Sequence, residues 1–72
     1  MQSKDLRAQL RSRLKNLREK HGLTQEKLAQ RAGISLYYLQ LMEGSKPKNP
    51  TLLILEKLAG AFDMEVWEFL KF

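Results

Sequence analysis

The most abundant chemistry in this 72-residue chain is positive charge, thirteen Lys and Arg against eight Asp and Glu. It is unevenly placed. Residues 1–20 hold Lys4, Arg7, Arg11, Arg13, Lys15, Arg18 and Lys20 against Asp5 and Glu19, seven minus two, or +5. Residues 21–72 carry six basic and six acidic groups and are neutral. Clustered guanidinium and ammonium groups attract anions, and nucleic acid is the commonest polyanion for a small basic domain. The bland alternative is a solvated helix face that keeps a small protein soluble.

What is missing narrows the chemistry further. The chain has no Cys, so disulfides and thiolate metal sites are excluded. His21, its one histidine, cannot alone build a zinc site or an imidazole relay. No nucleophile–base pair, paired-carboxylate site or phosphate-binding glycine loop stands out, which points away from an enzyme. The longest apolar run, residues 52–55, falls far short of the roughly 18 residues a membrane span needs. The N-terminus is charged from Lys4 onward and lacks the apolar core of a secretory signal. The expectation is a cytoplasmic protein with no metal, cofactor or membrane partner, and no small-molecule ligand is evident.

These side chains must be positioned by a very small scaffold. A chain this short buries only about 60% of the surface its unfolded form exposes. Residues 1–72 therefore read as a single domain, and 43% hydrophobic composition is enough to fold one. Leu6, Leu10, Leu14 and Leu17 recur at helical spacing, with Ser3 as expected N-cap, Asp5 in the first turn and Gly22 as the stop. Thr24 caps a second helix whose inner face is Leu28, Ala29 and Ala32. Ser35 caps a third, with Leu39 and Met42 three apart. Residues 44–50, GSKPKNP, read as a loop because proline cannot sit in a helix interior. Thr51 caps a fourth helix with Leu52, Leu55, Leu58, Ala59 and Phe62 inward, and a fifth near 65–71 offers Val66, Phe69 and Leu70. The expected fold is all-α, five short helices around one core.

Two helices that cross steeply need three things: a small residue at the contact, a turn residue tolerant of positive φ, and apolar residues closing the angle. Counted from Gln25 as position one, Ala29, Gly33, Leu39 and Met42 fall at five, nine, fifteen and eighteen. They meet those demands in order. The flanks agree: residues 17–29 read LREKHGLTQEKLA, then come Gly33-Ile34-Ser35, Glu43, Asn49-Pro50-Thr51 and residues 55–59, LEKLA. Together they resemble the phage Cro/repressor-type (XRE) helix-turn-helix family across about residues 10–70.

The resemblance implies a lambda repressor-like domain with its helix-turn-helix at about 25–43 and a recognition helix near 36–43 that enters the DNA major groove. It implies a sequence-specific, double-stranded DNA-binding transcriptional regulator, a repressor first of all, acting as a homodimer. Gln25 then meets a DNA phosphate together with free N–H groups of the second helix. Base-reading positions fall on Ser35, Leu36, Tyr37, Gln40 and Leu41. Gln40 has the best chemistry, an amide that can pair bidentately with adenine N6 and N7. Leu36 and Leu41 depart from the family's polar habit and can touch only thymine methyls. Tyr37 and Tyr38 can give hydroxyls to phosphates or pack on the surface. Lys46, Lys48 and Asn49 lie where the family often contacts the backbone, in a loop one residue longer than its commonest form. Arg18 and Glu43 match a buried ion pair tying the first helix to the third.

Apolar side chains remain in surplus. Leu53, Ile54, Trp67 and Phe72 stand where the family usually carries polar residues, and an exposed apolar patch marks an interface. They are the expected homodimer contact, through the fifth helix with help from the fourth. Leu36, Tyr37 and Leu41 also favour a different class, an antitoxin-like or adaptor helix-turn-helix protein acting through protein–protein contacts.

Overall fold

The computed structural model describes residues 5–45 and 49–72, and all regular structure within them is helical. The order is α1 (Leu6–Lys20), α2 (Gln25–Ala32), α3 (Leu36–Glu43), α4 (Leu52–Ala61) and α5 (Val66–Phe69). Helix α1 packs on α3, α2 on both α3 and α4, and α4 on α5.

Each start is set by a side chain that satisfies an orphan backbone donor. The Thr24, Ser35 and Thr51 hydroxyls accept from the N–H groups of Lys27, Tyr38 and Ile54 at 3.0, 3.0 and 3.2 Å. At α1 the cap is Asp5, whose Oδ1 accepts from Arg7 N and Ala8 N at 3.1 and 3.4 Å. This corrects the assignment of the cap to Ser3, which lies outside the described residues. Carboxylate and hydroxyl cap equally well, and the carboxylate adds attraction to the positive helix end. At α5 the Glu68 carboxylate accepts from Glu65 N at 3.0 Å.

The ends share one geometry. Gly22 and Gly33 adopt left-handed φ of 67° and 71°. Behind them Leu23 N reaches Arg18 O, and Ile34 N reaches Ala29 O, each at 3.0 Å. These six-to-one bonds close α1 and α2 and turn the chain sharply. Helix α4 ends the same way without a glycine: Asp63 takes φ 57° and Met64 N donates to Ala59 O at 2.9 Å. Between α2 and α3 only Gly33, Ile34 and Ser35 intervene, which makes the helix-turn-helix.

The core gathers Leu10, Leu14 and Leu17 from α1 with Leu28, Leu39, Met42, Leu58, Phe62 and Phe69 from the rest. Ala29 and Ala32, 3% and 6% exposed, let α2 lie close to its neighbours. Two leucines expected inside are outside: Leu6 is 66% exposed and Leu52 is 68% exposed. Both are the first residue of their helix, where the periodic stripe overshoots the core. Helix α5 also stops at Phe69, short of the expected Lys71.

Candidate nucleic-acid interface

Helix α3 is anchored from behind by three other side chains. Arg18 on α1 grips Glu43 with two parallel bonds, Nε to Oε2 at 2.8 Å and Nη2 to Oε1 at 3.0 Å. Arg18 and Glu43 side chains are only 13% and 3% exposed, so this fork–fork pair is largely shielded from water. The third guanidinium nitrogen, Nη1, donates to Leu23 O at 2.9 Å and pins the turn before α2. Gln25 adds Nε2 to Glu43 Oε1 at 3.1 Å. Arg11, one more α1 residue, donates from Nη1 to Gly44 O at 3.3 Å, just past the end of α3.

The opposite face of α3 is open. Tyr37 is 71% exposed, and Ser35 and Gln40 are exposed as well. Leu41 is half-buried. Tyr37, Gln40 and Leu41 are three and four residues apart, so they share one stripe of the helix. Leu36 and Tyr38 instead pack against the core, leaving little of either for a partner. The Ser35 hydroxyl already accepts the cap bond and keeps its hydrogen to donate. Asn49 is exposed at the far side of the loop, while Lys46 and Lys48 lie outside the described residues.

At the start of α2 the backbone donors of Gln25 and Glu26 have no helical acceptor, because the first turn of any helix lacks one. The Gln25 amide spends one N–H on Glu43 and retains the other. An anion can meet three donors there.

Structural demand accounts for much of the basic cluster. Besides Arg11 and Arg18, Arg13 donates to Phe69 O and Glu68 O at 3.0 and 2.8 Å. Three of the seven cations in residues 1–20 thus close helix ends or hold Glu43. Arg7, Lys15 and Lys20 remain exposed. The sequence did hold a signal for part of this, since Arg11 and Arg18 are seven apart and share a helix face. Among the described residues no three His, Asp or Glu gather where they could hold a metal ion. None of the described helices is long and apolar enough to cross a membrane.

Of the expected interface residues, Leu53, Trp67 and Phe72 are 57%, 67% and 52% exposed. Ile54 differs: it is half-buried against the core. Its Cβ lies on the inner side of α4, four residues before Leu58, a placement helical spacing alone could have shown. Leu52 takes its place on the surface. Phe72 also lines a groove with Leu6, Leu10, Pro50, Leu55 and Leu70.

The sequence pattern of the helix-turn-helix family matches residues 14–66. An uncharacterized HTH-type transcriptional regulator of Sinorhizobium fredii, y4dJ, is 40% identical over 57 residues, covering 79% of this chain and 73% of that protein. An uncharacterized HTH-type transcriptional regulator of Archaeoglobus fulgidus is 33% identical over 57 residues, 79% of this chain and 80% of its own. The HTH-type transcriptional regulator SinR of Bacillus subtilis is 33% identical over 54 residues. That match covers 75% of this chain but 49% of SinR, so the chain spans about half of that relative. No solved structure matches.

Proposed function

The chain belongs to the helix-turn-helix family, of the Cro/repressor type, and from the open face of α3 we propose that it is a sequence-specific, double-stranded DNA-binding transcriptional regulator. In this reading residues 1–72 form one DNA-binding domain, acting as a repressor and a homodimer. Helix α3 enters the major groove with Gln40 on a base edge, Ser35 and Tyr37 beside it, and Leu41 against a thymine methyl. Gln25 and the free N–H groups of α2 take a phosphate, and Asn49, Lys46 and Lys48 take others on the loop side.

The carrying observation is the division of α3 into two faces. One is fixed by Arg18, Gln25 and the core; the other presents Tyr37 and Gln40 with nothing over them. A helix meant for a protein partner would show a broad apolar face. Leu36 and Tyr38, which made that alternative attractive, are turned inward.

Selection from a random duplex library at two salt concentrations tests the reading. The expected product is a short, A·T-leaning half-site, repeated about 34 Å apart if a dimer binds. Affinity should fall with a log–log salt slope of roughly −0.9 per phosphate neutralised. Failure to bind any duplex at low salt ends the proposal.

A further inference from the structure

Gln25 is the first residue of α2 and Glu43 the last of α3, and their side chains meet at 3.1 Å. The accepting oxygen, Oε1, also takes Arg18 Nη2 at 3.0 Å. Arg18 comes from α1, so α1, α2 and α3 converge on one carboxylate that is 3% exposed. A carboxylate offers about four lone-pair sites, which accommodates the three bonds. Hydrogen bonds to such a desolvated, charged acceptor are stronger than neutral ones. Of the three, only the bond from Gln25 ties α3 to the end of α2 that faces a phosphate.

We propose that Gln25 is a positioning residue for α3: one amide N–H holds Glu43 while the other meets the DNA backbone, so phosphate contact and the aim of the base-reading helix are coupled. This rests on the DNA-binding reading above and deepens it. An amide nitrogen is planar, and fixing one of its hydrogens on Glu43 fixes the direction of the second. A phosphate at the start of α2 is then met by a preset donor, and the same contact holds the end of α3 against α2. Phosphate contacts by themselves carry no sequence information. A side chain that also aims α3 does carry it, indirectly, through Gln40 and Tyr37.

The coupling is tested with Gln25→Met, close in length but without a donor, and Gln25→Lys, which keeps one. In the free protein, amide hydrogens of α3 should exchange about tenfold faster in Gln25→Met, a change within reach of one lost hydrogen bond to a charged group. Those of α1 and α4 should hold their rates, and Gln25→Lys should stay near the parent. On DNA, the affinity ratio between the selected site and a single-mismatch site should shrink by about fivefold in Gln25→Met, the low end of one good base contact. Unchanged α3 exchange in Gln25→Met overturns the proposal, as does an equal loss of affinity for selected and random duplexes. If the parent protein binds no duplex, the DNA reading falls separately, and the exchange rates still decide whether Gln25 positions α3.

Discussion

Arg13 on α1 closes the end of α5, donating from Nε to the Phe69 carbonyl at 3.0 Å and from Nη2 to Glu68 O at 2.8 Å. A four-residue helix cannot hold itself together in water, because nucleation fixes several residues for one hydrogen bond. Helix α5 persists through Phe69 in the core and through this guanidinium on its last carbonyls. The charge also sits well with the negative end of the helix dipole.

Arg13→Ala should therefore loosen α5 specifically. Two charge-assisted bonds are lost, and the expected cost is about 1.5–3 kcal/mol. For a domain of this size each kcal/mol lowers the melting temperature by about 4–8 °C. Arg13→Lys should recover only part, since an ammonium cannot span both carbonyls with a planar fork. Thermal denaturation of the two variants checks this, and equal melting temperatures for Ala and the parent would contradict it.

Breaking the Arg18–Glu43 pair should cost more. Arg18→Met strands a carboxylate that is 3% exposed with Gln25 as its one remaining partner, for an expected loss of about 3–5 kcal/mol. Removing both charges with Arg18→Met and Glu43→Leu should return much of that stability, because neither is then left desolvated. The pair's value lies in fixing α3, so the double variant should fold yet lose base preference. Urea midpoints and a selected motif, measured on the same preparations, separate the two effects.

Asp63 closes α4 at φ 57°, the one non-glycine residue with positive φ among those described. A side chain in the left-handed region costs about 1 kcal/mol, somewhat less for Asp. Asp63→Gly should raise stability by roughly 0.5–1 kcal/mol, the steric relief exceeding the extra freedom glycine gains in the unfolded chain. Lower stability in Asp63→Gly would mean that the Asp63 side chain contributes more than its backbone strain removes.

The helices were legible in the sequence wherever a cap and a stripe agreed, as at Thr24, Ser35 and Thr51. Gly33 announced its turn because few other residues tolerate that φ. The α1 boundary was misplaced because Ser3 and Asp5 are equally good caps, and composition cannot rank them. Leu6 and Leu52 continued their stripes in sequence but stand one turn beyond the packed layer. The basic cluster was the hardest part to read. Charge counts treat Arg11, Arg13 and Lys15 alike, although two of the three donate to carbonyls more than thirty residues away. Such long-range bonds have no local sequence signature.

Gln40 carries the heaviest load in base reading, as the one long polar side chain on the open face of α3. Gln40→Ala should relax preference at one or two base positions, costing about 1–3 kcal/mol at each site it reads. A neutral amide displaces no counterion, so the salt slope should stay nearly unchanged. A selected motif that survives Gln40→Ala intact would put a different face of the protein on the DNA.

Trp67 tests the assembly. Its α5 neighbours Val66 and Phe69 turn inward, and Trp67 itself is 67% exposed, so it contributes little to the core. With Leu53 and Phe72 it leaves large apolar side chains in water on a small protein, the usual mark of an interface. A two-fold dimer through α5, helped by α4, would place each Trp67 against its symmetry mate's apolar surface. Tryptophan at such a centre commonly contributes about 2 kcal/mol or more to binding. Truncation of an exposed side chain alters folding stability by only about 0.5 kcal/mol. Trp67→Ala should therefore weaken self-association by about thirtyfold, about 2 kcal/mol at a tenfold change per 1.4 kcal/mol, while its melting temperature hardly moves. Sedimentation equilibrium across a concentration series, free and with a selected duplex, reads both species directly. A parent protein that stays monomeric at tens of micromolar in both conditions removes the dimer and leaves Trp67 as surface for another partner.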